Sequence, residues 1–345
     1  MRIGAPLRRR RFGVGLEPAA EAILNRRALL SLALVAGLAL AIGLAVRAGL
    51  GTVVEVLGRL GGMELVWLCA MQMGSVLLCG LAWWIFTSEA TLLACTAARF
   101  VKDGASSVIS IIPGMAEIAG MRALTLFGAQ GGNAAGSGVV DLATEILSQV
   151  LFTLAGIVAL LAVLGRTELD HAVGIAAASV LPLAALYAGL RSARVRGGVT
   201  RIARGLDRKL GEWTLGRDAG RTVATLWQDR PRLVAGTAIH LAAWMLAALQ
   251  VWYAALALDA PLSPAAALAL AALVHAARGA LFIVPWGAGV QEVGFVVAGT
   301  ALGLDEPTAI AMSLTFRVRD TLLALPALLL WGAAELREAW LARQA

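Results

Sequence analysis

Charge is scarce in this chain. Asp, Glu, Lys and Arg make up 15% of its 345 residues, against 59% hydrophobic ones, and the mean hydropathy is +0.80. Soluble domains run near a quarter charged, so a water-soluble globular fold is excluded. Lysine is scarcer still: Lys102 and Lys209 are the only two among 29 basic residues. With Ala and Gly so abundant, that reads as compositional bias. Cys69, Cys79 and Cys95 are scattered with no C-x-x-C pair and read as small packing residues, so no disulfide or metal framework is expected. There is no Walker-type phosphate loop, no H-E-x-x-H, no G-x-S-x-G and no Cys/His cluster at metal spacing. ATP-driven pumping and familiar hydrolytic chemistry lose their support, and no cofactor is expected.

What is present is apolar sequence long enough to cross the ~30 Å of hydrocarbon in a bilayer several times. Full-length spans are predicted at about 28–46, 65–86, 136–164, 171–190, 233–257 and 307–333. The formal net charge of +7 is concentrated in two places, which argues for topology rather than nucleic acid. Segment 1–27 carries seven arginines, and segment 191–232 carries eleven basic residues against four acidic ones. Both are expected in the cytoplasm. The arginines at 8–11 are set apart from the first apolar run by Glu17 and Pro18, and that run is too long for a typical cleaved signal. A retained first span is the better reading.

These assignments force a geometry. Span 171–190 must end inside to deliver the basic loop, so span 136–164 must start inside. Everything from 87 to 135 then enters and leaves on the cytoplasmic side, with Arg99 and Lys102 counted as inside charges. Yet residues 108–113 and 118–127 are apolar enough to want the membrane. A re-entrant hairpin broken at Pro113 and Gly114 satisfies both demands. In the second half, segment 264–303 dips in from the opposite face, breaking around Pro285, Gly287 and Gly289. The expected fold is therefore all-α: a polytopic transmembrane bundle of six full spans plus two oppositely oriented re-entrant hairpins. Its organisation is a basic tail 1–27, one transmembrane domain 28–335 and a short tail 336–345. Repeat halves fall at about 65–190 and 233–335, joined by the loop 191–232.

The repeat shows in the numbering. Glu117 and Glu292, Gly128 and Gly303, and Glu145 and Asp320 are pairs separated by one common offset, 175. Pro113 and Pro285 are 172 apart, so the second copy has three extra residues in its break. Paired breaks in corresponding halves, entered from opposite sides, are the pattern of inverted-repeat transporters.

Nine ionisable residues fall in membrane-depth sequence: Glu117, Arg122, Asp141, Glu145, Arg278, Glu292, Arg317, Arg319 and Asp320. Exposing all of them to lipid would cost on the order of 25 kcal/mol, so they must pair or meet water. Asp141, Glu145 and Gln149 recur at i, i+4, i+8 and share a helix face; Arg317 and Asp320 share one at i, i+3. A buried salt-bridge network that only fixes packing is the plain reading for any one of them. It is weaker for Glu117 and Glu292, which sit beside backbone breaks. His240 and His275 read as satisfied packing imidazoles rather than a proton relay or metal site. Trp67, Trp83, Trp84, Trp331 and Trp340 lie near predicted span ends, as an aromatic belt would.

At these residues the chain resembles the lysylphosphatidylglycerol synthase transmembrane-region family of flippase-like membrane proteins. The first half carries the likeness in PGMAEIAGMR (113–122), Gly128 and VDLATEILSQVLF (140–152). The second carries it in PWGAGVQEVG (285–294), Leu302, Gly303 and FRVRD (316–320). The resemblance covers about residues 65–335. VQEVG (290–294) together with RVRDTLLALPALLLW (317–331) is most similar to the hopanoid-biosynthesis-associated, HpnL-like subfamily. Trp286 departs from that pattern, which has a smaller residue after the proline. The family implies movement of amphipathic lipids between leaflets of the bacterial inner membrane; the subfamily implies hopanoid production or transport, with hopanoid or envelope-lipid biosynthetic proteins as partners. Because the chain stops about twelve residues after its last predicted span, lipid aminoacylation is not expected.

These lines converge on a lipid translocase with both termini in the cytoplasm and no catalytic residues. Glu117 and Glu292 are expected to meet in a polar groove at the midplane and contact the lipid headgroup, with Gln149 and Gln291 nearby. Arg122, Arg278, Arg317 and Arg319 are expected to balance the carboxylates and screen any phosphate. Two rivals remain: a membrane enzyme modifying a lipid headgroup with Glu292 or Asp320 as general base, and a non-transporting partner whose buried charges pair fully and leave no cavity.

Overall fold

A computed structural model of the protein describes residues 58–108, 114–164, 219–260, 262–280 and 289–344. All regular structure among them is helical. The first half contains α1 (Gly62–Trp84), α2 (Leu92–Val108), α3 (Met115–Leu126) and α4 (Gly131–Leu164). A short helix α5 (Ala219–Leu226) follows. The second half contains α6 (Arg230–Ala257), α7 (Pro264–Ala280), α8 (Val290–Ala301) and α9 (Glu306–Ala342). By length and composition α1, α4 and α6 can each cross a membrane, while α7 and α8 are shorter apolar helices. The predicted spans 28–46 and 171–190, both basic segments up to residue 218, and the breaks Pro113, Pro285 and Gly287 lie outside the described residues.

The repeat extends to the backbone. Helices α2 and α7 are both 17 residues long and begin 172 apart; α3 and α8 are both 12 residues long and begin 175 apart. The three additional residues fall between them, where Pro113 and Pro285 predict. Each 12-residue helix starts and ends on a glycine of positive φ: Gly114 (φ 85°) and Gly128 (φ 106°) around α3, Gly289 (φ 77°) and Gly303 (φ 97°) around α8. A side chain there would meet its own carbonyl, so glycine is what permits these sharp starts and stops.

Packing interlocks the halves. α2 lies against α9, and α7 against α4, so each half lays its 17-residue helix on the long helix of the other. Helices α1 and α6 pack together at equivalent points: a Cβ on Gly74 would lie 3.2 Å from the side chain of Leu246, its counterpart in the repeat. Small residues permit the close approaches. A Cβ on Gly156 of α4 would sit 2.2 Å from that of Ala272 on α7, and one on Gly104 of α2 would sit 2.5 Å from that of Ala327 on α9. Lipid gives no hydrophobic drive for helices to associate, so such backbone proximity is how apolar helices gain contact energy. The largest core, rich in alanine, joins α4, α6, α7, α8 and α9 around Phe152, Leu270, Ile310 and Met312. The outer surface stays apolar, with Val66, Leu77, Val158, Leu325 and Leu329 each at least half exposed.

Two details depart from expectation. Trp83 is not a belt residue: it is 2% exposed, and its indole N–H donates to Ser137 Oγ at 3.0 Å. Trp67, Trp84 and Trp340 do face outward. The segment 336–345, read as a tail, continues α9 as helix to Ala342.

Candidate functional site

Between the halves lies a cavity of about 230 Å³, far more than the roughly 10–15 Å³ a single water needs. Its walls come from every described helix except α3 and α5. The halves contribute matching positions: Gln72 with Trp244, Ser75 with Ala247, Cys79 with Val251, Arg99 with Ala271, Asp103 with His275, Ser106 with Arg278, and Glu145 with Asp320. The first six pairs are 172 apart and the last is 175 apart, the two registers of the repeat. The cavity is thus centred where the two copies meet, which is where inverted-repeat transporters hold their substrates.

The first half supplies a compact charge network. Glu145 accepts from Arg99 at 2.6 and 2.9 Å and from Lys102 Nζ at 2.9 Å. Arg99 Nε also donates to Asp103 at 3.0 Å. Asp141 is buried on the same face of α4, with His240 Nε2 of α6 at 3.0 Å and an Arg99 nitrogen at 3.9 Å. Gln149 donates to the carbonyl of His275 at 3.1 Å, and Ser148 Oγ accepts from the Trp244 indole at 3.1 Å. One face of α4 therefore turns toward α2, α6 and α7 in succession.

The second half is arranged differently. Glu292 is 1% exposed. It accepts from the Gly289 backbone N–H at 2.9 Å, capping α8, and takes two further hydrogen bonds from Arg317, one of them at 2.8 Å. Asp320 accepts from its neighbour Arg319 at 3.0 and 2.6 Å. The Arg319 guanidinium also donates to Gln250 and lies 4.7 Å from the Phe316 ring centre. Gln250 in turn donates to Ser75 Oγ at 3.4 Å, crossing between halves. Gln291 is buried and donates to the Ser313 carbonyl and hydroxyl.

Arg278 stands apart. It lines the cavity near the end of α7 and makes no hydrogen bond or ion pair among the described residues; nor does the Gln72 amide on α1.

The expected meeting of Glu117 and Glu292 in a groove does not occur: neither lines the cavity. Glu292 is turned inward by its own helix cap and by Arg317. Glu117, half-buried at the start of α3, makes no ion pair among the described residues. Arg122 does not balance those carboxylates either. It reaches Glu335 near the end of α9 at 3.0 and 2.8 Å. That hydrogen bond holds the Glu335 carboxyl, beyond the predicted 307–333 span, below the usual carboxylate range. Arg317 lies outside the cavity wall, whereas Glu145, Arg278, Gln291, Arg319 and Asp320 lie in it.

Several site residues are not evident as such from the sequence. Arg99 and Lys102, counted as orienting charges, are 6% and 8% exposed and bonded inside the protein. Nothing in the local sequence marks Asp103, Gln72, Ser106 or Gln250 as site residues. The signal was available for two of them: Asp103 and Ser106 are the repeat counterparts of His275 and Arg278. No group of three or more His, Cys, Asp or Glu among the described residues is arranged to hold a metal.

The cavity is lined by charged and polar side chains, and the helices around it include three long and apolar enough to cross a membrane. The model of the lysylphosphatidylglycerol synthase TM region matches residues 29–327. The chain belongs to that family. The match takes in α1 to α8 and most of α9, so the cavity lies wholly within the family region. Membership makes this a membrane protein of a lipid-related family, and with its apolar helices a multi-pass one. No curated protein and no solved structure matches the chain.

Proposed function

We propose that this family member moves an amphipathic lipid between leaflets, sheltering the headgroup in the cavity between its halves while the tail remains in the bilayer. The observation that carries the reading is the pairwise lining: matching residues of two repeats face one polar space. Breaks at equivalent positions would let the short helices dip into the membrane from opposite faces, alongside six full crossings with both termini in the cytoplasm of a bacterial inner membrane. A hopanoid-type or related polar lipid is the cargo suggested by the subfamily likeness, and envelope-lipid biosynthetic proteins would be its partners. Headgroup contact falls to Glu145, Arg278, Gln291, Arg319 and Asp320, with Arg99 and Asp103, rather than to Glu117 and Glu292.

The rivals draw less support. Glu292 and Asp320, the candidate bases of an enzyme, are each already bonded to a guanidinium. A purely structural partner needs its charges fully paired around no cavity, and Arg278, which lines one, makes no ion pair among the described residues. The test is leaflet transfer in proteoliposomes, read by dithionite bleaching of lipids labelled on a short acyl chain. Wild type should expose inner-leaflet probe to bleaching, and Ala247→Trp, which fills the cavity from α6, should abolish the effect. Bleaching no faster than in protein-free vesicles, across phospholipid and hydroxylated polycyclic probes, would end the proposal.

A further inference from the structure

We infer that His240, bonded to Asp141 in the wall of the cavity, takes up and releases one proton in each transport cycle, coupling lipid movement to a proton gradient. Coupling of this kind presupposes that the cavity is a headgroup chamber, and it supplies what drives the movement. His240 is not the satisfied packing imidazole expected from its apolar surroundings. It lies in the cavity wall and is 1% exposed. Its Nε2 is 3.0 Å from an Asp141 oxygen, and its Nδ1 has no hydrogen-bond partner among the described residues. An ionised carboxylate only accepts, so Nε2 carries the hydrogen and Nδ1 keeps a free lone pair. A proton taken there from cavity water makes an imidazolium, whose charge Asp141 holds; on release the proton returns to water and the ring is neutral again.

The surrounding charges leave room for that proton. Helices α2 and α4 bring together three acids, Asp103, Asp141 and Glu145, with only two permanent cations, Arg99 and Lys102. Glu145 takes both cations at 2.6 and 2.9 Å, and Asp103 takes Arg99 at 3.0 Å. Asp141 is left with Arg99 at 3.9 Å. An interior acid without a close counter-charge is costly, and a protonated His240 supplies the missing one. When the proton leaves, Arg99 is the nearest replacement. Turning to Asp141 would loosen its hold on Asp103 and Glu145, both in the cavity wall. Proton occupancy and the arrangement of the wall therefore bias one another.

Helix α6 packs on α1, α4, α7 and α9. From α1 the Cys79 thiol lies beside the ring, and from α4 come Asp141 and the field of Glu145. Helices α7 and α9 present His275, Arg278, Arg319 and Asp320 to the same cavity. His275 is not an equivalent proton site: it has no carboxylate at ion-pair distance among the described residues, and its ring packs against Trp244 with 5.0 Å between centres. Nor does the repeat duplicate the pair, since the counterparts of His240 and Asp141 are Leu68 and Phe316. One pair implies one proton.

The test uses the full-length protein in proteoliposomes with a phosphatidylethanolamine labelled on a short acyl chain. Albumin back-extraction reads the share of probe in the outer leaflet. Coupling to one proton lets a gradient of about one pH unit shift the leaflet ratio by up to about tenfold. Wild type should shift the ratio in opposite directions for acid and alkaline interiors, and a protonophore should cancel both shifts. His240→Gln, which keeps a donor for Asp141 but cannot hold the charge, should melt near wild type and lose the response. A second measurement needs neither transfer nor that variant. In micelles, with His171 and His275 replaced by glutamine, isotope-labelled His240 should show its Nδ1 passing from bare to protonated as the pH is lowered. A ring whose protonation never changes would overturn the proton site, as would a His240→Gln protein that still follows the gradient. The two proposals fail separately. Probe movement indifferent to the gradient removes the coupling alone, whereas a His240 that titrates in a protein that moves no probe removes translocation alone.

Discussion

At the start of α8, Glu292 caps Gly289 and grips Arg317; at the equivalent start of α3, Glu117 does neither. The backbones correspond, with a glycine of positive φ at each end of both helices. The partners do not, because the position equivalent to Arg317 in the first half is Leu142. The same divergence runs through the cavity, where α2 presents Asp103 and Ser106 and α7 presents His275 and Arg278. Duplication has kept the geometry that builds a chamber and changed the chemistry of its two walls. A chamber with unlike walls can orient an asymmetric headgroup, which one with like walls cannot do.

The sharpest way to break this comparison is to delete the carboxylate at the start of each helix. Glu292→Ala leaves Arg317 without its carboxylate and should cost about 3–5 kcal/mol. Glu117→Ala should change stability by about 0.5 kcal/mol or less, since no bonded partner is lost. Denaturant unfolding in micelles, followed by tryptophan fluorescence, measures both; equal costs would show that the halves are not asymmetric at this point. A smaller effect tests the likeness instead. A Cβ at Gly128 or Gly303 would meet nothing within 4 Å, so only the positive φ opposes a side chain. Gly128→Ala and Gly303→Ala should each cost about 1–2 kcal/mol, matching one another. A large difference would mean that the two helix ends are not equivalent.

Much of this architecture could be read in the residues. The shared spacing of Glu117 from Glu292 and of Gly128 from Gly303 marks the bounds of α3 and α8, because helix starts and left-handed stops need particular residues at particular places. The three-residue insertion falls in the break, as Pro113 and Pro285 indicate. Side-chain partners were harder. Arg99 and Lys102 lie in a stretch polar enough to pass for a cytoplasmic turn, and only the packing of α2 against α4 and α9 makes them interior. Glu292 looks like a site residue because a carboxylate beside a helix break signals one. The same carboxylate serves equally well as a helix cap, and no sequence pattern distinguishes cap from contact when the partner lies on another helix. Arg278 is one of four arginines in membrane-depth sequence, and that it makes no ion pair among the described residues is visible only once the other three are placed.

The central claim is that a wet, polar space opens between the halves at membrane depth. Ala247 and Leu249 lie close together on α6, one lining the cavity and the other 43% exposed on the outer face. In a background with Cys69, Cys79 and Cys95 replaced by alanine, Ala247→Cys and Leu249→Cys can be treated in membranes with a charged methanethiosulfonate reagent. The account predicts that Ala247→Cys reacts and Leu249→Cys, at the same depth but against lipid, does not. Equal labelling of the two variants, or labelling of Leu249→Cys alone, would contradict it.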